Sequence, residues 1–188
     1  MKLLSVIVIF LLCVSCEDSS KNAEMDKATI EKEKAAIRKV IENETKSFFD
    51  RDYNAWAQNY AHTDYAFQAW SNRDGTFDAN VGWTDIDDQL GKYISDNPEK
   101  THPEVERKNM MFKFYSENLA YLIWDQFNSD LDKNNFHHSK EVRLMEKING
   151  DWKIVCVSAF WDHKNPIPAN RLRLIKKMYN ESRGKNKI

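Results

Sequence analysis

The chain has 188 residues, of which 41% are hydrophobic and 12% aromatic, and this apolar content is sufficient for one well-buried core. The same content excludes extensive disorder, and a formal net charge of −1 lacks the strong positive charge typical of proteins that bind nucleic acid. We therefore predict a single globular domain that binds no nucleic acid.

The first 16 residues have the layout of a secretory signal. One lysine precedes an apolar run over residues 3–14, which is too short to span a bilayer comfortably. The segment Val14-Ser15-Cys16 then resembles the lipobox of bacterial lipoproteins, in which the cysteine is acylated and the chain is cleaved before it. We predict a lipoprotein signal peptide over residues 1–15, lipidation of Cys16 and a flexible tether over residues 16–27.

This anchor predicts a lipoprotein of the cell envelope, at the periplasmic face or in the outer membrane. Each buried methylene of an acyl chain contributes about 0.8 kcal/mol, so a cysteine with two or three chains is held stably. The acidic pair Glu17-Asp18 resembles the surface-export signal of Bacteroidetes lipoproteins. Removal of the signal leaves Cys156 without a disulfide partner, since the lipid occupies Cys16. The alternative is an ordinary cleaved signal peptide followed by a fortuitous cysteine.

Between residues 30 and 94 the sequence predicts three helices and one strand. Apolar residues recur at helical spacing over residues 30–48 and define a long first helix. Asp52 can cap a short second helix, residues 65–70 predict a strand, and residues 71–80 predict a polar loop. A third helix is predicted to start at Thr84 and to bury Ile86, Leu90, Tyr93 and Ile94.

From Lys108 onward the hydrophobic period changes from helical to extended. Four runs predict strands, at about residues 110–114, 119–127, 138–148 and 152–161. Asn149-Gly150, between the last two runs, is a strong signal for a tight hairpin because both residues tolerate positive φ. This order of elements predicts an α+β fold in which a curved antiparallel β-sheet is wrapped by N-terminal helices.

The motifs and their order resemble those of the NTF2-like superfamily, specifically its SnoaL-like and DUF4440-like members. The resemblance covers about residues 35–163, and it rests on residues 49–56 (FDRDYNAW), 60–64 (YAHTD), 82–83 (GW) and 149–154 (NGDWKI). It implies an NTF2-like cone over residues 28–165, followed by a basic C-terminal helix or tail over residues 166–188. It also implies a homodimer formed through the outer face of the sheet.

Aromatic residues are the predicted ligand-binding set. In an open cone they line a pocket for a small hydrophobic ligand, or for a sugar stacked on an aromatic face, and the residues are Trp56, Tyr60, Tyr65, Phe67, Trp83 and Trp124. The alternative, expected for about half of them, is that they fill the core. No cofactor and no metal are predicted, since the histidines lack ligand spacing and no GxSxG, P-loop, GxGxxG or HExxH motif occurs.

Two residues are candidates for proton transfer. Glu44 lies on the apolar stripe of the first helix, where a desolvated carboxylate can act as an acid or a base. The alternative is that Glu44 reaches water at the edge of the stripe, or pairs with Arg143 or Lys140. His138 is expected near Phe160 at the wide end of the sheet, where the pockets of such cones open.

The resemblance alone does not choose a chemistry, because the same cone hosts isomerases, dehydratases, hydrolases and binding modules. Counting along the chain against the ketosteroid isomerases places Glu44, Ala69 and Leu144 near their three functional positions, and two of the three groups are missing. We therefore predict no steroid isomerase activity. Three functions stay open: an envelope protein that binds a small molecule, a SnoaL-like enzyme using Glu44 or His138, and a protein–protein interaction module.

Overall fold

The structure is a computed structural model that describes residues 25–173. The predicted signal peptide, the lipidation site Cys16 and most of the predicted basic tail lie outside the described residues. None of the helices in the described range is long and apolar enough to cross a membrane.

The first two helices follow the predicted pattern closely. Helix α1 spans Lys27–Asp50, and the carboxylate of Asp26 caps it by accepting from the backbone N–H groups of Ala28 and Thr29 at 2.8 and 2.9 Å. Arg51 ends α1 in the left-handed conformation at φ 59°. Helix α2 spans Tyr53–Ala57 and is capped by Asp52, whose side chain accepts from the N–H of Ala55 at 2.9 Å.

The third predicted helix is present, but it contains one irregular turn. It consists of α3 (Trp83–Ile86), a π-helical turn (Asp87–Gly91) and α4 (Lys92–Asp96). It begins one residue before the predicted Thr84, directly after Gly82. Gly82 has φ 84° and a Cβ there would lie 3.3 Å from the carbonyl oxygen of Asp64, so both the backbone angle and the space favour glycine.

Six strands form one sheet in the order β2-β1-β6-β5-β4-β3. The hairpin between the two longest strands turns at Asn149-Gly150, with φ values of 53° and 90°, and this confirms the hairpin prediction. The strands are β1 Phe67–Ser71, β2 Phe77–Val81, β3 Val105–Ser116, β4 Leu119–Ser129, β5 Asn135–Ile148 and β6 Asp151–Pro168.

Three features of the sheet correct the sequence prediction. The predicted polar loop over residues 71–80 contains most of strand β2, and β6 continues to Pro168 instead of ending near residue 161. Strand β1 pairs with β6 in parallel, whereas an entirely antiparallel sheet was predicted. The two strands are far apart in the chain, and such long connections allow parallel pairing that a hairpin cannot produce.

The concave face of the sheet is divided along the length of its strands. At the end near the 149–150 turn, inward side chains of β4 to β6 are apolar and pack with Ile37 and Ile41 of α1; they include Leu122, Trp124, Met145, Trp152 and Ile154. Toward the other end, inward positions carry polar groups, among them Gln126 on β4 and Glu141 on β5. The core therefore fills one end of the cone and leaves the other end open.

Candidate functional site

The open end of the cone holds a cavity of about 460 Å³ between the concave face of the sheet, helix α1 and the helix over residues 83–96. This volume lies in the range of small-molecule sites, roughly 300–1,000 Å³. Five aromatic residues contribute to its wall, and they are Phe48, Phe49, Trp70, Tyr93 and Trp161. The sheet contributes the polar groups, which come from Gln68, Gln126, Asn128, Glu141 and Arg143.

A buried ion pair lies at the polar side of the cavity. Arg143 Nη1 donates to Glu141 Oε2 at 2.8 Å, and Ser139 Oγ donates to Glu141 Oε1 at 2.5 Å. The side chains of Glu141 and Arg143 are only 1% and 7% exposed. Burial alone would lower the pKa of Arg143, but the nearby carboxylates of Glu141 and Glu44 raise it above its ordinary value, so the guanidinium stays charged.

Glu44 lines the same cavity from α1. Its carboxylate accepts from the hydroxyl of Tyr60 at 2.9 Å and from that of Thr45 at 3.1 Å, and Arg107 Nη2 donates to Thr45 Oγ1 at 2.6 Å. Burial, and then the charge of Glu44, raise the pKa of Tyr60 well above its usual value, so Tyr60 stays a protonated donor. Arg143 acts on Glu44 through its charge, and neither of the predicted pairings is formed as a hydrogen bond between described side chains.

Three buried polar atoms at the cavity have no hydrogen-bond partner among residues 25–173. They are Arg143 Nε, Gln68 Oε1 and Asn128 Oδ1, which are one donor and two acceptors. Buried polar atoms without partners are rare in folded proteins because each one costs about 1–3 kcal/mol of lost hydration. Their concentration at one cavity indicates a place where a bound molecule completes the hydrogen bonding.

Glu44 is the one predicted site residue that lines this cavity. Trp56 and Tyr60 are buried in the core at 0% and 3% exposure, with their ring centroids 4.9 Å apart. Trp124 lies beneath the ion pair, and the guanidinium of Arg143 is 5.0 Å from its ring centroid. Trp56, Tyr60 and Trp124 therefore fill the core, as the alternative prediction had it. Trp124 does not line the cavity, but it packs against Arg143, which does.

The remaining predicted aromatic residues do not line the cavity either. Tyr65 is 53% exposed and donates to Glu146 at 3.0 Å, while Trp83 stacks on His62 with 3.8 Å between ring centroids. Phe67 alternates with the inward Gln68 and faces the outer side of the sheet.

His138 also lies on the outer face of the sheet, opposite Asp162. It contacts Asp125 there at 2.9 Å; it lies two residues from Lys140, the partner of Phe160, as expected, but it does not line the cavity. Burial alone would raise the pKa of Asp125, but hydrogen bonds from Lys140, Asn109 and His138 lower it to about 2. This cluster is an outer-face ion-pair group, and it is separated from the cavity by the sheet.

The residues that the sequence reasoning missed share a simple signal. The inward positions of β4 change from Leu122 and Trp124 to Gln126 and Asn128, and those of β5 change from Met145 to Arg143 and Glu141. Every second residue of a strand faces the same side of the sheet. The change from apolar to polar residues at these inward positions marks the point where the core ends and the cavity begins. In the described range no group of three His, Cys, Asp or Glu side chains is placed to hold a metal ion.

The sequence of the chain matches no known family in a comparison with protein families, and a search of curated proteins finds no relative. Solved structures, in contrast, match well. An NTF-2 like protein of unknown function from Shewanella oneidensis MR-1 is 19% identical and covers 68% of this chain and 98% of its own, with a TM-score of 0.52.

Two further solved structures show the same similarity. A hexachlorocyclohexane dehydrochlorinase, LinA type 3, from Novosphingobium barchaimii LL02 is 16% identical and covers 76% of this chain and 94% of its own, with a TM-score of 0.53. The association domain of C. elegans CaMKII is 15% identical, covers 71% and 98%, and has a TM-score of 0.55. The dehydrochlorinase and the association domain differ in what they do, so the likeness concerns architecture. The chain has the NTF2-like fold.

Proposed function

We propose that the protein is a cell-envelope lipoprotein whose NTF2-like domain binds a small molecule in the cavity at the open end of the cone. The observation that carries the proposal is the set of unpartnered polar atoms on Arg143, Gln68 and Asn128 inside an aromatic wall. Such a site offers apolar contact area to one part of a ligand and directed hydrogen bonds to another part.

The first test blocks the cavity. Ala159 lines it and is 8% exposed, so Ala159→Phe places a ring in the space that the ligand would occupy. We expect at least a ten-fold loss of affinity for any molecule that a thermal-shift screen identifies, measured by isothermal titration calorimetry. The matched control is Ala35→Phe, the same change at an exposed position of α1, which should bind like the unaltered protein. Equal affinity of the two variants would exclude this cavity as the binding site.

A SnoaL-like enzyme is the second candidate, and the position of Glu44 at the cavity favours it. The carboxylate is held by Tyr60 and Thr45 while it lines the space for a ligand, which is the arrangement that a proton acceptor needs. Turnover of a bound molecule that disappears in Glu44→Gln, with binding retained, would support catalysis. Binding without turnover in the unaltered protein supports a binding role alone. His138 has no part in this candidate chemistry, since it lies on the opposite face of the sheet.

Membrane anchoring is the part of the proposal that depends on Cys16. Replacement of this residue in Cys16→Ser removes the thiol that would carry the lipid, so we expect the protein to move from the membrane fraction to the soluble envelope fraction. Mass spectrometry of the mature N-terminus checks the same point by its acyl mass. Cys156→Ser is the control and should leave the protein in the membrane fraction. Absence of an acyl mass on Cys16 of the unaltered protein would contradict lipid anchoring.

We also propose that two copies associate through the outer face of the sheet. Several large apolar side chains on this face are exposed, including Phe77, Val81, Met111 and Phe160. Ile123 and Val142 lie opposite one another near its centre. Exposed apolar side chains on one face of a sheet are candidate contact points for a partner. A different protein partner on the same face would instead support the interaction-module alternative.

Ile123→Asp tests the dimer. A charge at the centre of an apolar interface is desolvated on association, so we expect the variant to sediment as a monomer in analytical ultracentrifugation where the unaltered protein sediments as a dimer. Asn54→Asp adds the same charge on the exposed side of α2 and should not change the mass. A monomeric unaltered protein, or a dimeric Ile123→Asp variant with an intact circular dichroism spectrum, would refute this interface.

A further inference from the structure

The cavity contains its own balanced set of charges. Two carboxylates, Glu44 and Glu141, line it, and one guanidinium, Arg143, lies between them. A second guanidinium, Arg107, is placed behind Thr45 and interacts electrostatically with both carboxylates. Two negative and two positive side chains therefore cancel at this site, and each carboxylate already accepts hydrogen bonds from the protein.

This balance disfavours a charged occupant. A ligand with a net charge would enter a site whose positive and negative charges already balance, so it would lose hydration without gaining an uncompensated counter-ion. A neutral ligand avoids this cost. The site contains four ionised groups, but its net charge is zero. It therefore favours uncharged ligands.

The unpartnered atoms define which polar groups the ligand must offer. Arg143 Nε requires an acceptor, whereas Gln68 Oε1 and Asn128 Oδ1 require donors. Arg143 and Gln68 are each 6% exposed, so these requirements apply in a desolvated space where an unmade hydrogen bond is costly. A hydroxyl group both donates and accepts, and a neutral molecule with several hydroxyl groups satisfies all three atoms.

The wall of the cavity defines the other half of the ligand. Trp70 and Trp161 come from the neighbouring strands β1 and β6, which are joined here by the hydrogen bond from the Trp161 N–H to Ser71 Oγ at 2.8 Å. Phe48 and Tyr93 face the cavity from the helices, with their rings stacked at 6.0 Å between centroids. Flat aromatic surfaces favour a ligand that presents an apolar ring face.

We infer that the cavity binds an uncharged ring compound that carries several hydroxyl groups on its edge and an apolar face toward the tryptophans. This inference rests on the proposed ligand-binding function and adds the chemical class of the ligand. Two sources share the chemistry, a neutral sugar and a hydroxylated aromatic ring, and the test separates them.

The test is a calorimetric titration of the full-length lipidated protein in a detergent that has no sugar headgroup. The neutral probes are the methyl glycosides of glucose, galactose and mannose for the sugar class, and catechol for the aromatic class. The charged probes are the corresponding uronates and amino sugars, and toluene represents apolar ligands without hydroxyl groups. We expect at least one neutral hydroxylated probe to bind ten-fold more tightly than its charged counterparts and than toluene.

Variants of an amide acceptor test the polar contacts. Gln68→Met keeps the length of the side chain and removes the acceptor, so it should weaken the best neutral probe at least ten-fold while the affinity for toluene stays unchanged. Gln58→Met is the matched control, because Gln58 is exposed at the C-terminal end of α2 and does not line the cavity, and it should bind like the unaltered protein. Loss of affinity for toluene as well would show a collapsed cavity, and in that case the comparison of neutral with charged probes in the unaltered protein decides.

The outcomes separate this inference from the proposed function. Tighter binding of a uronate, an amino sugar or toluene than of every neutral hydroxylated probe would overturn the inference and leave the ligand-binding role in place. Binding of no probe to the unaltered protein would overturn the inference, and the ligand screen with Ala159→Phe would then decide the ligand-binding role. Preference for glycosides over catechol identifies a sugar, and the reverse preference identifies a hydroxylated aromatic ring.

Discussion

Arg143→Leu is expected to lower the free energy of unfolding by about 3–5 kcal/mol, since it leaves the carboxylate of Glu141 buried without its cationic partner. Glu141 is 1% exposed and cannot recover its hydration without local opening of the sheet. Urea denaturation followed by tryptophan fluorescence, with linear extrapolation to zero denaturant, measures the change.

The double variant Glu141→Leu/Arg143→Leu is the informative control. It removes both charges, so its loss of stability should be smaller than that of Arg143→Leu alone. Lys92→Met breaks an ion pair with Asp96 in which the two side chains are 69% and 57% exposed. It should lower the free energy of unfolding far less than Arg143→Leu or the double variant does. The single variant Glu141→Leu completes the cycle, and a double variant whose loss equals the sum of the losses in Glu141→Leu and Arg143→Leu would contradict an energetic coupling between the two residues.

Trp56→Ala is expected to cost about 3–5 kcal/mol of stability, the range for truncation of a buried tryptophan to alanine. The ring is fully buried and contacts Tyr60 and Trp83, with centroid distances of 4.9 and 5.7 Å. Thermal or urea unfolding of the purified variant measures the loss.

A second tryptophan separates core packing from ligand recognition. Trp161→Ala removes a half-buried ring from the cavity wall, so it should lower stability less than Trp56→Ala and should weaken ligand binding more. Tyr65→Ala, at a position that is 53% exposed, should change neither property appreciably. A larger stability loss at Trp161 than at Trp56 would show that the boundary between core and cavity is misplaced.

Local signals in the sequence predicted much of the fold because they act within a few residues. The spacing of apolar residues gave α1, the carboxylate of Asp52 gave the start of α2, and Asn149-Gly150 gave the last hairpin. Capping and tight turns depend on side chains and backbone angles at single positions, so they can be inferred without tertiary structure.

Strand β2 and its neighbours could not be predicted in this way. Phe77, Ala79 and Val81 do alternate with Asp78 and Asn80, but the apolar side faces outward on the sheet, and the preceding turn is rich in polar residues. The parallel pairing of β1 with β6 joins residues nearly 90 positions apart, such as Phe67 and Cys156. Pairing at that separation is decided by the closure of the whole sheet.

The candidate site was predicted only at Glu44, and the physical reason concerns size. Large aromatic rings gain the most from complete burial, so Trp56 and Trp124 fill the core while the cavity keeps side chains of mixed character. Recognition of Gln68, Glu141 and Arg143 as site residues required the register of the sheet, which shows that their inward positions fall at one end.

The division of the concave face has a consequence for how this protein can change. Packing energy is concentrated near the 149–150 turn, whereas contacts to a ligand are concentrated at the far end of the same strands. Asn128 has a side-chain oxygen without a partner among the described residues, so its replacement alters the contacts offered to a ligand with little effect on the folded scaffold. A few substitutions at the ligand-binding end can therefore change which molecule is bound. The free energy of unfolding, which depends on the packed end, changes little.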